Sequence, residues 1–275
     1  MQAPTWVIQR EVGSNGVYEA MLAHFKAASI PHHVIKIVPF SHEVEGHLPA
    51  IRGPVVCYGS LGMRKVATEQ GWAPGVWQSD ALGETATLET LGDLYLNDDA
   101  QRMRLSKVHD WWLTQGMGKS FFIKPDGDAK VFAGSVMDGT EFWEWDNRLR
   151  NVDWFKGQDP LVVVSKPKSL GREWRFVVVG DKISDASLYM NFGRVIPERG
   201  APAKVRAFVM HAHAKNAPAP VYVIDIAETE EDLGQLKVIE RNTFNHSGLY
   251  GCDVATIVDD INALVRTSVT PVVIE

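Results

Sequence analysis

Apolar positions in the first 75 residues fall into short β-branched runs broken by stretches at helical spacing. Residues 4–12, PTWVIQREV, predict a first strand. Val17, Met21, Leu22 and Phe25 then recur at helical spacing, with Ser14 or Asn15 as the cap. PHHVIKIVPF and GPVVCYGS predict two more strands, and LGMRKVATEQG a second helix. Strand, helix, strand, strand, helix is the signature of a small α/β domain with a partly parallel sheet. The Gly59-Ser60-Leu61-Gly62 turn follows a strand, where α/β sheets place ligand loops, although most such turns are only turns. TLETLGDLYL and SKVHDWWLTQG predict two further helices, the second with Ser106 as cap and Gly116 as stop.

From Ser120 the period shortens to two, which predicts antiparallel strands. KSFFIKP puts Phe122 and Lys124 on one face, DGDAK turns, and VFAGSV returns. DPLVVVS is an apolar run suited to a buried strand. EWRFVVVGDKISDASLYMNFG is a hairpin turning at Gly180-Asp181, with Glu173, Arg175 and Val177 on one face. APAKVRAFVMHAHAK fits a strand or a helix, and as a strand would put His211 and His213 on one face. VYVIDIA and LKVIERN form a second hairpin around an acidic turn. Its first strand sets Val221, Val223, Asp225 and Ala227 on one face. Its second sets Leu236, Val238, Glu240 and Asn242 on one face. VATIVDDINALVR carries a helical apolar stripe capped by Asp253, and PVVIE closes as a strand. The fold class is therefore α/β, more strictly α+β, in two domains spanning residues 1–105 and 106–275.

Composition narrows the class. The chain has 275 residues, 45% hydrophobic and 23% charged, which is ordinary globular composition. No apolar run approaches the length of a membrane span, and the first residues lack a signal-peptide pattern. Cys57 and Cys252 are the only cysteines, which points to a reducing, cytoplasmic setting. The net charge of −6 disfavours nucleic acid as a partner of the whole surface and leaves a local basic groove open.

Two motifs exclude themselves. Gly118-Lys119-Ser120 ends like a phosphate-binding loop, but Leu113 stands where the first glycine belongs and a strand-like run follows. The nine histidines include no H-E-x-x-H and no neighbouring cysteine, so zinc is not indicated. What remains is the second hairpin. Asp225, Glu240 and Asn242 on one surface offer three oxygen donors, a set suited to Mg²⁺ shared with substrate phosphates. The same three residues also suit a plain polar outer face. Upstream, Lys124 could neutralise phosphate, the run Val162, Val163, Val164, Ser165 could flank and hydrogen-bond a base, and Arg175 could fork a phosphoryl or carboxylate group.

That order resembles the ATP-grasp superfamily over roughly residues 105–265, carried by FFIKPDGDAKVFAG, DPLVVVS, REWRFVVVGDKISDASLY, VYVIDIA and VIERNTFNHSGLY. The resemblance implies an ATP-grasp fold preceded by an N-terminal α/β domain. It implies that Lys124 contacts ATP phosphate, with Lys130 in the lid turn, and more weakly Lys107, as further contacts. It places Val162, Val163, Val164 and Ser165 at the adenine hinge and Glu173 with Arg175 in the E-x-R strand. Asp225, Glu240 and Asn242 become the Mg²⁺ set, and Asn245, Ser247 and Gly248 line the acceptor side. The usual glycine-rich lid is reduced here to DGDAK and AGS. The implied reaction is an ATP- and Mg²⁺-dependent carboxylate–amine ligation through an acylphosphate, on small-molecule or peptide substrates. A small-molecule phosphotransferase and a non-catalytic nucleotide-binding module are the alternatives. Oligomeric state, including a homo-oligomer, carries no sequence signal.

Overall fold

The computed structural model describes residues 3–10, 16–38, 43–115, 119–127, 131–230 and 234–268. The caps Ser14 and Asn15, the stop Gly116, Lys130 and the closing PVVIE lie outside the described residues.

The chain begins with β1 (Thr5–Gln9), α1 (Val17–Ala27), β2 (His32–Ile35), β3 (Val55–Tyr58), α2 (Leu61–Glu69) and β4 (Pro74–Gly75). The four strands form one sheet in the order β2-β1-β3-β4, parallel throughout. Parallel strands are covered on both faces. Here α2 covers one face through Met63, Val66 and Ala67, while Trp6, Ile8, Val56 and Tyr58 fill the other.

Next come α3 (Glu84–Leu91), β5 (Gln101–Arg104), α4 (Val108–Gln115), β6 (Phe121–Pro125), β7 (Ser135–Met137), α5 (Gly139–Arg150) and β8 (Leu161–Ser165). Their strands make a second sheet, β5-β8-β6-β7, antiparallel throughout. The returning strand after the DGDAK turn is shorter than the pattern predicts and begins only at Ser135. α5 is not predicted by apolar spacing, since its sequence is mostly polar. It is nucleated by a capping box: the Asp138 carboxylate accepts from Thr140 N and Glu141 N, and Glu141 accepts from Asp138 N at 2.9 Å. The first residue of α5 is a glycine, and Trp112 of α4 lies against it. A Cβ at Gly139 would meet the indole ring at 2.4 Å. Trp112 is buried and its Nε1 donates to Lys119 O, so it cannot yield freely. Gly139→Ala is expected to cost about 2 kcal/mol by overpacking, read as a lower urea midpoint. An unchanged midpoint would mean that the indole has room to shift.

The last stretch is β9 (Leu170–Val179), β10 (Lys182–Asn191), β11 (Arg194–Arg199), α6 (Ala203–Lys215), β12 (Val221–Thr229), β13 (Leu236–Thr243) and α7 (Val254–Ser268). The strands form an antiparallel sheet in the order β11-β10-β9-β12-β13. APAKVRAFVMHAHAK resolves as the helix α6, with Val205, Val209 and Ala212 buried against the sheet. His211 and His213, two apart on a helix, therefore do not share a face, and His213 Nδ1 instead meets the Tyr222 hydroxyl at 3.0 Å. Asp253 does cap α7, accepting from Ala255 N at 3.0 Å.

One face of this sheet packs with α1, α7 and the N-terminal sheet in a single core that includes Val177, Val179, Val221 and Val223. The other face packs on α6 and residues 82–95 through Trp174, Phe176, Tyr222 and Ile224. The hairpin β12–β13 carries a bulge. Asp225 pairs with Glu240, but Ile226 pairs with Val238, leaving Ile239 as the extra residue. Val238 consequently turns into the α6-side core, away from Glu240 and Asn242. The expected common face of Leu236, Val238, Glu240 and Asn242 is broken there, because a one-residue insertion in period-two pairing flips every side chain beyond it. No helix among the described residues is long and apolar enough to cross a membrane.

Candidate active site

The second and third sheets meet where β6 faces β13. Phe121, Ile123 and Pro125 turn inward, so Phe122 and Lys124 point out toward β13. Lys124 Nζ sits 2.7 Å from Glu84 Oε1 and 2.8 Å from Glu240 Oε2. Glu84 opens the first turn of α3, and the Tyr95 hydroxyl donates to its other oxygen. Burial would neutralise Lys124, but Glu240 and Glu84 together hold it charged, well above the ordinary lysine value. Burial pushes Glu84 up despite the pull of Lys124. Glu240 goes the other way. Burial opposes its charge, yet Lys124 and the Asn242 amide bring its carboxyl down to about 2. Asn242 Nδ2 donates to Glu240 Oε1 at 2.7 Å.

Arg175 lies one strand away. Its Nε and Nη2 donate to the two oxygens of Asp225 at 2.8 and 2.6 Å, and its Nη1 donates to Gly248 O at 2.9 Å. The pair is a cross-strand neighbour on β9 and β12. Arg175 Nη2 also stands 3.8 Å from Glu240 Oε1, which links the two ion pairs. Burial works against the Arg175 charge, but Asp225 holds it firmly protonated. Its guanidinium lies 4.9 Å from the Tyr250 ring, and Tyr250 stacks on Tyr189 at 4.7 Å. Tyr189 in turn donates to Glu173 at 2.8 Å, and burial pushes the Glu173 carboxyl up.

Two concavities share Lys124. A cavity of about 280 Å³ sets Glu84, Lys124, Glu240 and Asn242 beside the apolar side chains of Leu82 and Phe132. A narrow apolar slot of about 120 Å³ is lined by Leu96, Phe122, Lys124, Lys168 and Ile239. Ile239, the bulge residue, is thus on the slot side while Glu240 is on the cavity side.

Lys124, Glu240, Asn242, Arg175, Asp225 and Glu173 come together as the sequence places them. The hinge residues do not. Val162, Val163 and Val164 sit in the middle strand, paired to β5 on one side and β6 on the other. Their backbone groups are taken up by the two ladders, so they cannot also read a base, and the run is apolar because it is core. Ser165 is paired to Phe122, and its hydroxyl donates to Asn97 at 3.0 Å. Beyond the ladder, Lys166 N donates to the Asp99 carboxylate at 3.0 Å, and Lys166 and Lys168 border the slot. Asn245 and Ser247 line neither concavity. Asn245 is fully buried, donates to Cys57 O and Gly75 O, and accepts from Trp77 N at 2.9 Å. It bolts the parallel sheet to this site, with both amide hydrogens donated and the side chain fully buried. Ser247 donates to Thr243 O at 2.8 Å and is buried, while its carbonyl accepts from Tyr58. Only Gly248 of the three touches the site, through Arg175. Lys107 pairs with Asp110 on the surface, and Lys130 lies outside the described residues. Glu84, Tyr95 and Asn97 were not legible: each lies in a stretch without a motif.

A family model described as an ATP-grasp domain, the third family of its clade, matches residues 31–261. The fold is also that of D-cycloserine synthetase DcsG, with TM-score 0.63 and 12% identity over 95% of this chain and 99% of that one. D-alanyl-alanine synthetase A from Vibrio cholerae aligns with TM-score 0.58 and 13% identity over 98% of this chain and 100% of that one. The ATP-grasp ligase PsnB, complexed with a phosphomimetic variant of its minimal precursor, Mg and ADP, gives TM-score 0.53 and 13% identity, covering 96% and 99%. No curated protein matches the chain.

Proposed function

The chain belongs to this ATP-grasp domain family, and from that membership we propose that it is an ATP- and Mg²⁺-dependent carboxylate–amine ligase working through an acylphosphate. The observation that carries this reading is the convergence of Lys124, Glu240 and Asn242 on one cavity, with the Arg175–Asp225 pair joined to them through Arg175, 3.8 Å from Glu240.

The donor set fits the groups the family implies. The apolar slot suits a base, the larger cavity with its cations Lys124 and Arg241 suits phosphates, and Lys124 stands between them. Glu240 and Asn242 are hard oxygen donors facing the cavity, the kind of set that binds Mg²⁺ together with phosphate oxygens. Among the described residues no three His, Cys, Asp or Glu side chains form a cage of their own. Asp225 lies behind the cavity wall, held by Arg175. Each carboxylate oxygen has two lone pairs, so Asp225 can keep Arg175 and still offer one to the metal. Mg²⁺ supplies charge neutralisation across the phosphates when bound.

The side chains then divide the work. Lys124 screens the phosphate charge as a point cation. Arg175, preset by Asp225 and Gly248, presents its remaining N–H groups toward the transferring phosphoryl or the substrate carboxylate. No nucleophilic side chain is needed, because the amine attacks the acylphosphate. Cys57 and Cys252 play no part: both are free and buried, and burial pushes each thiol up to about 12. The substrates are a small-molecule or peptide carboxylate and an amine, in a cytoplasmic setting.

The test is a screen of carboxylate and amine pairs scored by Mg²⁺-dependent ADP release, with product mass as the second readout. A condensed product with ADP supports the ligase. A stable phosphorylated product without condensation would replace it with a phosphotransferase. Absence of any Mg²⁺-dependent nucleotide binding by calorimetry would leave neither enzyme standing.

A further inference from the structure

Lys124 is held at two points, and the two are not equivalent. Glu240 borders the cavity with its side chain 28% exposed, and the reading above assigns it to the metal. Glu84 is 7% exposed by the same measure and has no such second duty. It is also anchored. Tyr95 donates to its far oxygen. The helix that carries it is fastened from two sides. Asp126, just beyond β6, accepts from Thr85 N and Oγ1 at 2.9 and 2.7 Å. Arg241, between Glu240 and Asn242 on β13, donates from Nε to Thr87 at 3.0 Å and from Nη2 to Ala81 O at 2.7 Å. Arg241 Nη1 donates to Asn216 at 2.7 Å, so a buried guanidinium is satisfied by neutral partners alone. Burial brings its pKa down to about 10, which leaves it charged. Glu84 is thus fixed against both strands that build the cavity.

Resting on the nucleotide reading, we propose that Glu84 is a positioning residue that keeps Lys124 aimed into the cavity while a nucleotide phosphate displaces Glu240 and frees it for the metal. The chemistry follows from donor counts. An ammonium has three N–H donors and no acceptor, so Lys124 can keep Glu84 and still serve phosphate oxygens. Its four-carbon stem is flexible and aims poorly by itself. With Glu84 uncharged, Glu240 becomes the only carboxylate on Lys124. Nucleotide and metal must then break that pair with no carboxylate left to hold the ammonium in place.

The test is calorimetry of the non-hydrolysable analogue AMPPNP with Mg²⁺, and of adenosine, on the full chain. Glu84→Gln keeps the shape and removes the charge; Tyr95→Phe removes only the hydrogen bond behind it. Losing a charge-assisted hydrogen bond predicts about tenfold weaker Mg²⁺–AMPPNP binding by Glu84→Gln and a smaller loss in the same direction by Tyr95→Phe. Adenosine, which has no phosphate for Lys124, binds as to wild type. In a Lys124→Gln background, Glu84→Gln adds no further loss. The proposal is overturned if Glu84→Gln binds the analogue like wild type, if adenosine is weakened equally, or if the loss is the same without Lys124. If the wild type binds no nucleotide with Mg²⁺, the functional reading falls and this inference with it. If it does bind, only Glu84 is on trial.

Discussion

Glu240→Gln abolishes the gain in nucleotide affinity that Mg²⁺ brings to the wild type. Glu240 is ionised throughout the neutral range, because Lys124 and Asn242 outweigh its burial and bring its carboxyl to about 2. The substitution therefore removes a full charge from the cavity wall. Metal-to-carboxylate stabilisation runs to several kcal/mol, so a loss of roughly 10²- to 10³-fold in Mg²⁺-dependent affinity is expected. Binding without metal changes little, since Lys124 keeps Glu84 at 2.7 Å. Titrating ATP with and without Mg²⁺ into both proteins checks this. A variant whose Mg²⁺ increment equals the wild type's would place the metal elsewhere. A stability effect accompanies the binding effect. The folded-state pKa is depressed below the ordinary 4.5. The folded protein thus binds fewer protons there than the unfolded chain, so this contribution is present above about pH 4.5 and is lost as pH falls toward about 2. Urea midpoints between about pH 5 and pH 3 should fall less steeply for Glu240→Gln than for the wild type.

Regular pattern is what made the fold legible. Both hairpins, strands β1 to β3 and α7 form where their periods predict them, with the period of β13 interrupted at the bulge. The parts that fail do so for identifiable reasons. Val162 to Val164 taken alone read as core and only through the family resemblance as base-flanking, and sheet position separates the two: the middle strand has no free backbone edge. The bulge at Ile239 inserts one residue without a glycine or proline to mark it, yet it decides that Val238 is core and Glu240 is cavity. Asn245 sits in a polar loop beside the motif, where a substrate contact and a structural bolt look alike in sequence. Glu84 is the clearest case. One acidic residue in the first turn of a helix ordinarily answers the helix dipole, and nothing in its neighbours announces that it reaches Lys124. The ion-pair residues were legible because their spacing on strands fixes their face. Glu84 was not, because its role depends on how α3 is fastened by Arg241 and Asp126.

Arg175→Ala produces the largest loss of stability expected in this chain. Asp225 is 1% exposed, and both its oxygens accept from Arg175. Removing the arginine leaves a buried carboxylate without a cation, and breaking a buried pair from one side costs about 3–5 kcal/mol. Arg175→Lys recovers only part of this, because a point charge cannot span both oxygens as the planar fork does. The double variant Arg175→Ala/Asp225→Asn should be more stable than Arg175→Ala alone, since the unpaired charge is then gone. The pH dependence has a definite sign. Burial already raises the folded-state pKa of Asp225 against the pull of Arg175, and removing that pull raises it further above its unfolded value of about 3.9. Between those values the folded state binds more protons than the unfolded chain, so stability falls as pH rises. The deficit of Arg175→Ala relative to the wild type should therefore widen from about pH 5 to about pH 8. Urea unfolding of the wild type and three variants at the two pH values measures it. A deficit below about 1 kcal/mol, or one that does not grow with pH, would mean that water reaches Asp225 once the guanidinium is removed.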